Sequence, residues 1–387
     1  MKSSNVCLHI VRNPVSHDSR VLKETRSVHQ GRLFGQVEIA GFMEPGYSET
    51  ETLDDGRTIW RASLRTRGLP KDLLSQGIKY AEWFHRLVRR YRNAPLQVIH
   101  CHDLAPLAIA GRLKQLTGAR LIYDAHELET ETVGAGGVRQ RLARRLERRL
   151  IPKVDAMITV SPSIQAWYAE RYPRTAIHLV RNIPDAPAEP EAAVPLRAML
   201  GVPEDALLFL YLGGLGRGRG IETALQAFQQ EGVPHHILFM GSGPLADSVR
   251  SAASRDPRIH YKAPVPPKDV IAHAAGADVG VSLIEDACLN YRYCLPNKLF
   301  ESLLAGLPVL ASKLPDQAAV VEQYQAGWVV EPDAASVAAF LRGLTRAEGA
   351  SIRQGLAERV GELSWENEAK TLTGLYEDLL QVGGGGR

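Results

Sequence analysis

Two segments of this sequence gather cations and backbone amides in a way that suits an anion. The first, residues 211–220, reads YLGGLGRGRG and runs straight into the helical pattern IETALQAF. Glycines let a backbone approach an anion closely, and a helix N-terminus offers free N–H groups. Arg217 and Arg219 can add charge-assisted hydrogen bonds to a pyrophosphate. Gly213 and Gly214 open the turn. The pattern is neither GxxxxGK[ST] nor GxGxxG, which weighs against nucleotide hydrolysis and dinucleotide binding. The plain alternative is a strand–helix turn with solvated arginines. The second segment, residues 285–312, reads EDACLNYRYCLPNKLFESLLAGLPVLAS. A strand ends near Ile284 and a helix begins near Pro296 and Asn297, with Asn297 suited to cap it. Its N-terminus is a second anion site, Lys298 adds charge, and Glu301 can accept two ribose hydroxyls. Glu301 also suits an ordinary acidic first turn.

Three further segments put polar groups at the ends of apolar runs. IHCHDLAPL (99–107) presents His102 and Asp103, and YDAHEL (123–128) presents Asp124, His126 and Glu127. His100 alternates inward along its strand and reads as structural. A carboxylate–imidazole cluster can bind metal, but no third ligand is spaced nearby, so no metal is expected. VRNPVSHDSRVLKE (11–24) brings Ser16, Asp18 and Arg20, and Asp18 serves equally well as a helix cap.

Residues 139–149, RQRLARRLERR, hold six arginines and one glutamate. Leu142, Leu146 and Leu150 form a narrow apolar stripe. Such a helix can dock on an anionic membrane, at about 1 kcal/mol per basic residue near the surface. HRLVRRYR (85–92) is a second basic stretch. The competing reading is a solvated face of an ordinary helix.

The elements that must position these groups alternate regularly. Strands are predicted at 6–11, 98–101, 121–123, 156–160 and 177–180, then at 207–212, 236–240, 259–261, 279–283, 308–311 and 327–330. Several are continuous β-branched or leucine runs, as in parallel strands covered on both faces. Helical patterns at 18–30, 71–90, 221–230 and 299–305 lie between them. This is α/β organisation: two doubly wound Rossmann-like domains, with ligands expected across a crevice at the strand ends. Residues 183–195 carry four prolines and read as a linker. The expected division is 1–185, 186–364, a last helix 365–382 and a flexible tail 383–387.

Composition agrees. The chain has 387 residues, 45% hydrophobic and 23% charged, enough for two cores. Lys+Arg 46 against Asp+Glu 43 gives +3, too small an excess for a whole-protein nucleic-acid binder. Four cysteines without a CxxC pair argue against zinc and a disulfide framework. No signal peptide or 18-residue apolar run is evident. A cytoplasmic chain is expected, peripheral to the inner face of the plasma membrane if the basic helix docks there.

The second half resembles the donor domain of a GT-B glycosyltransferase, specifically glycosyltransferase family 4 (group 1), in the form found among bacterial surface-polysaccharide enzymes. That family carries E-x7-E followed by a small residue, Gly, Pro and an apolar strand. Glu301 with LLAGLPVLAS matches its second half, while the first Glu falls at Tyr293. The resemblance implies that Glu301 binds the nucleotide ribose and that backbone amides from Cys294, Leu295, Pro296 and Asn297 replace the missing carboxylate. Of the family's cation pair on the diphosphate, Arg219 fits the second member. The first falls at Gly214, with Arg217 as a substitute. HILFMGSGPL (236–245) matches the family's G-x-G-P turn, placing Gly241 and Gly243 beside the base, and the loop at Val265 and Pro266 lines the base pocket. SWENEAKTLTGLYEDLL looks like the helix that crosses back to the first domain. There the resemblance implies His102, with Asp103, near the β-phosphate or sugar. Asp124, His126 and Glu127, and the loop of Ser16, Asp18 and Arg20, fall on the acceptor side.

The implied activity is a retaining, metal-independent transfer from a UDP- or GDP-sugar to a hydroxyl acceptor, a glycan or lipid-linked glycan, without a cofactor. Rivals are a GT-B sugar-nucleotide epimerase, a non-catalytic sugar-nucleotide or polysaccharide binding subunit and, least favoured, an NAD-dependent oxidoreductase.

Overall fold

The computed structural model describes residues 5–16, 18–134, 136–185 and 192–382. Residues 186–191 of the proline-rich linker and the tail 383–387 lie outside these. The chain forms two compact units. One runs to Arg181 and takes in Glu368 onward, and the other is Asn182–Asn367.

The first unit is built on β1 (Val6–Ile10), β2 (Gln36–Phe42), β3 (Thr50–Thr52), β4 (Thr58–Ala62), β5 (Leu96–His102), β6 (Arg120–Ala125), β7 (Ala156–Thr159) and β8 (Ile177–Leu179). Their order is β3-β4-β2-β1-β5-β6-β7-β8, and only the β3–β4 pairing is antiparallel. Strand order reverses between β1 and β5, the switch point at which doubly wound sheets bind ligands. The strands β2, β3 and β4 fall outside the expected set. Gln36, Glu38 and Gly41 interrupt the apolar signal of β2, and all three residues of β3 are exposed.

The second unit holds β9 (Leu208–Leu212), β10 (His236–Met240), β11 (Ile259–Lys262), β12 (Val279–Ser282), β13 (Val309–Ser312) and β14 (Gly327–Val330). They lie in the order β11-β10-β9-β12-β13-β14, all parallel. Here the order reverses between β9 and β12. β9, β10, β12 and β13 are buried along their whole length, as their unbroken apolar runs require. Leu207, Phe209, Phe239, Val281 and Leu310 join one core with helix Ile221–Phe228, while Leu208, Leu210 and Leu238 serve the opposite face.

The last helix, Trp365–Val382, carries Tyr376 into the first unit, where its hydroxyl lies 2.6 Å from His100 Nδ1. No helix among the described residues is long and apolar enough to cross a membrane.

Candidate functional site

In the second unit, the glycine-rich turn follows β9 on one side of the switch point. Its path is possible only with glycine at two contacts. A Cβ on Gly241 would stand 1.8 Å from the Gly213 carbonyl oxygen, and one on Gly220 2.0 Å from that of Leu283. The 213–220 turn is therefore pressed against the 241–245 turn and the segment after β12. Leu215 N–H donates to Ser242 O at 2.8 Å, and Glu285 N–H to Gly218 O at 3.0 Å. Gly213, Gly214 and Gly243 are exposed, Gly241 is buried, and Val265 is half-buried among the apolar residues behind β10.

Two cations meet at this turn. Arg219 is exposed, and a Cβ built on Gly214 would be 3.8 Å from its Nη1. Its guanidinium thus covers the position expected to lack a cation. Lys298 lies in the first turn of helix Asn297–Leu304, with Nζ 3.4 Å from the centroid of the Tyr211 ring. Tyr211 in turn donates its hydroxyl to Gly214 O at 3.0 Å. Lys298 is buried and its side-chain nitrogen has no hydrogen-bond partner among the described residues. Burial, then repulsion from Arg219, holds its pKa well below the ordinary lysine range, against the pull of Cys294 and Glu301. A buried ammonium beside a second cation, with no hydrogen-bond acceptor, is a costly arrangement that a bound polyanion would relieve. Arg217 points to solvent, with no partner among the described residues.

The amides before this helix need one correction. Pro296 has no N–H, and the Cys294 N–H is already given to Tyr291 O at 3.3 Å. Among the described residues, the N–H groups of Leu295, Asn297 and Lys298 have no acceptor. Asn297 does not cap the helix either. Pro296 occupies the cap position, and Asn297 Oδ1 accepts from Asn182 Nδ2 at 2.9 Å. Glu301, one turn on, is half-buried.

In the first unit, pairing brings the polar residues of β1, β5 and β6 together. His9 is in register with His100, and His102 with Asp124. Helix Ser19–Gln30 buries Arg20 and Glu24, four residues apart, in the same region. Arg20 grips Asp124 bidentately, Nε to Oδ2 at 3.0 Å and Nη2 to Oδ1 at 2.9 Å, and also donates to Val180 O at 3.1 Å. Both side chains are buried, so Arg20 and Asp124 are not the open acceptor-side groups expected from sequence. Asp18 is a helix cap. It accepts from Val21 N at 3.1 Å and from Asn13 Nδ2 at 2.6 Å. Ser16 is half-buried and Glu127 exposed.

His102 is fully buried, with both ring nitrogens engaged: Nε2 with His9 Nδ1 at 3.0 Å, Nδ1 with His126 Nε2 at 3.1 Å. Burial and neighbouring His100 push its pKa down to about 3. His126 is the imidazole that reaches solvent. Its Nε2 lies 3.0 Å from Asp124 Oδ2, and its Nδ1 3.6 Å from Asp103 Oδ1. Burial alone would lower the His126 pKa, but Asp103 and Asp124 lift it to about 9. Asp103 has a φ of 67°, a left-handed conformation costing a non-glycine residue about 1 kcal/mol. Sequence reasoning missed His9 and Glu24. The available signal was a polar residue interrupting an apolar strand, or sitting one helical turn from Arg20, which a buried element must satisfy.

The cation-binding expectation also changes. Spacing offered no third ligand beside Asp124 and His126, yet ligand atoms of Glu24, His100, His102 and Asp124 lie within 4.8 Å of one another.

Residues 26–183 match a glycosyl transferase 4-like domain, and residues 206–346 match the glycosyl transferases group 1 model. A D-inositol 3-phosphate glycosyltransferase of Corynebacterium kroppenstedtii is 22% identical, over 74% of this chain and 68% of its own. A lipopolysaccharide 1,2-N-acetylglucosaminetransferase of Salmonella typhimurium is 29% identical over 57% and 61%. Among solved structures, the sucrose-phosphate synthase of Thermosynechococcus elongatus superposes with a TM-score of 0.78 at 18% identity, covering 98% of this chain and 99% of that one. Anabaena HepE in complex with UDP-glucose gives 0.71 at 14% identity, covering 96% and 99%.

Proposed function

We propose that this chain, which is a glycosyltransferase of the GT-B fold with a glycosyl transferase 4-like first unit and a group 1 second unit, moves a sugar from a nucleoside diphosphate to a hydroxyl acceptor with retention of configuration. The observation that carries the donor assignment is the uncompensated pair of cations in the second unit, Lys298 and Arg219, at the N-terminus of helix Asn297–Leu304. A diphosphate there gains two charge-assisted interactions and the free amides of Leu295, Asn297 and Lys298. Those groups stabilise the charge that grows on the phosphate as the sugar leaves. Glu301 takes the ribose, and Gly241, Gly243 and Val265 border the base. Arg217 supplies a further cation at the rim.

On the first unit, the contacts to the sugar and β-phosphate are assigned to His126 and Asp103, the partly exposed members of the polar cluster. His102 acts as a positioning residue, because both its nitrogens are held inside. Ser16 and Glu127 lie on the acceptor side. No side chain is assigned as a covalent nucleophile. The leaving phosphate accepts the acceptor proton as the hydroxyl attacks from the front face, and Arg219, Lys298 and the helix amides take the place of a metal at the diphosphate. UDP- and GDP-sugars are the donor class. The acceptor is a glycan or lipid-linked glycan, in line with the lipopolysaccharide enzyme among the relatives.

A cytoplasmic chain working at the membrane accords with helix Gly137–Leu150. Leu142 and Leu146 are 58% and 38% exposed beside six arginines, and Glu147 is turned inward to accept from the Tyr168 hydroxyl at 2.8 Å. Recovery with anionic rather than neutral liposomes tests this, and equal recovery from both opposes it.

The decisive experiment combines Arg219→Ala with calorimetric titration of UDP, GDP and their sugars and an NMR assay of product anomer. Loss of donor affinity and kcat/KM by orders of magnitude, with the fold intact, is expected. Unchanged affinity removes the diphosphate from this turn, and an inverted anomer removes retention.

A further inference from the structure

The first unit holds a second constellation, which shares only His102 with the proposed transfer site. Four atoms converge in its interior: His100 Nε2, His102 Nδ1, Glu24 Oε2 and Asp124 Oδ2. All four side chains are fully buried. His100 Nε2 is 3.8 Å from Glu24 Oε2 and 3.7 Å from Asp124 Oδ2. His102 Nδ1 is 3.9 Å from Glu24 Oε2 and 3.3 Å from Asp124 Oδ2. All four atoms lie within 4.8 Å of one another, and four ligands at about 2.1 Å around a tetrahedral ion stand about 3.4 Å apart, so the four measured edges need to shorten by at most about half an ångström.

We propose that Glu24, His100, His102 and Asp124 bind a divalent first-row transition ion of the zinc type at the switch point of the first unit's sheet. Two independent features support this beyond proximity. First, two of the four atoms are unsatisfied. Among the described residues, His100 Nε2 and Glu24 Oε2 have no hydrogen-bond partner, and both are shut off from solvent. Arg20 reaches Glu24 on its far side only, with Nε 2.9 Å from Oε1, so the inward Oε2 is left without a donor in a dry interior, where an unpaired polar atom is expensive.

Second, each side chain is already oriented from behind by its other polar atom. His100 Nδ1 is held by the Tyr376 hydroxyl at 2.6 Å and His102 Nε2 by His9 Nδ1 at 3.0 Å. Asp124 Oδ1 and Glu24 Oε1 are held by Arg20. Backing of every ligand by an outer partner is how proteins fix imidazole tautomers and carboxylates around an ion. Asp124 Oδ2 also takes Arg20 Nε at 3.0 Å, and His126 Nε2 lies 3.0 Å from it and 3.1 Å from His102 Nδ1. His126 is the partly exposed residue beside the cluster. Two imidazoles with two carboxylates suit zinc and its neighbours. Magnesium and calcium prefer oxygen alone. The ion's role is structural: it ties β5 and β6 to helix Ser19–Gln30 and sets the tautomer of His102.

The competing occupant is a proton on Glu24. The test uses the untagged full chain, stripped with a chelator and reconstituted with zinc, then with cobalt. Elemental analysis should return one ion per chain after desalting, with a thermal midpoint several degrees above the stripped form. The cobalt form should absorb in the visible. Glu24→Gln keeps the shape and should cut zinc affinity at least tenfold, as should His100→Gln. His236 and His260 of the second unit, with ring nitrogens 3.0 Å apart, are a histidine pair outside the proposed site, so His260→Gln should leave stoichiometry unchanged. No retained ion and no thermal shift under excess zinc would establish the proton and overturn the site. One zinc per chain that ignores Glu24→Gln and His100→Gln, or is lost with His260→Gln, would overturn it equally.

Discussion

Replacing Lys298 by Met separates a diphosphate clamp from a packing lysine, because the two roles predict opposite signs. In the free chain the Lys298 amine is buried and has no hydrogen-bond partner among the described residues, and burial and Arg219 both disfavour its charged form. Holding an unpaired cation inside costs several kcal/mol. The Tyr211 ring at 3.4 Å returns about 2 kcal/mol of that. Lys298→Met keeps the aliphatic stem and removes the charge, so the second unit should gain about 1–3 kcal/mol. For a unit of this size that is roughly 2–4 °C in thermal midpoint per kcal/mol. Donor binding should move the other way. A hydrogen bond to a charged group contributes about 1.5–3 kcal/mol, so affinity for a nucleoside diphosphate should fall about 10- to 150-fold. Differential scanning fluorimetry of the free chain and calorimetric titration with UDP and GDP read the two effects. A lower midpoint with unchanged affinity would refute the reasoning and leave Lys298 as a packing residue.

Four other substitutions have outcomes set by their surroundings. Gly241→Ala drives a methyl into the Gly213 carbonyl at 1.8 Å and should cost about 3 kcal/mol in chemical denaturation. Gly374→Ala, in helix Trp365–Val382 with nothing within 4 Å, should instead be neutral or stabilising by up to about 1 kcal/mol. Arg20→Met strands Asp124 and Glu24 and should destabilise the first unit by about 3–5 kcal/mol. Adding Asp124→Asn should recover part of that, and strict additivity would deny the pairing. Glu82 accepts from Arg65 N, Thr66 N, Thr66 Oγ1 and Arg86 Nε. Burial opposes its ionisation, but these bonds bring its pKa down to about 2 from 4.5. Its contribution is therefore complete above pH 4.5 and lost as pH falls toward 2. Glu82→Gln should flatten acid unfolding in that window by about 1 kcal/mol, most of the gross effect being screened by solvent.

The parallel sheet of the second unit was legible because β9, β10, β12 and β13 are covered on both faces. That demand writes itself into sequence as unbroken apolar runs. The first unit was only partly legible. Glu38 in β2 and the exposed threonines of β3 carry no such signal, since strand pairing, not hydropathy, defines them. The donor turn was readable for a similar reason. Gly213 to Gly220 and the helix behind them are local, and a local turn fixes which side chains share it.

Long-range contacts were invisible until the strands were in register. Lys298 counted as one more positive charge until the structure placed it on the Tyr211 ring, 87 positions earlier in the chain, with no hydrogen-bond partner. Asp124 and Arg20 read as open acceptor groups, yet they neutralise one another across 104 positions. The His102 pair at the strand end was evident, but its burial was not. That depends on His9 from β1, His126 from beyond β6 and Glu24 from a helix all reaching one point. Sequence alone determined the fold class and the glycine turn, because periodicity and backbone freedom are properties of neighbouring residues. Which polar groups are buried, paired or left unmatched was decided by the tertiary structure, because only packing removes water from them.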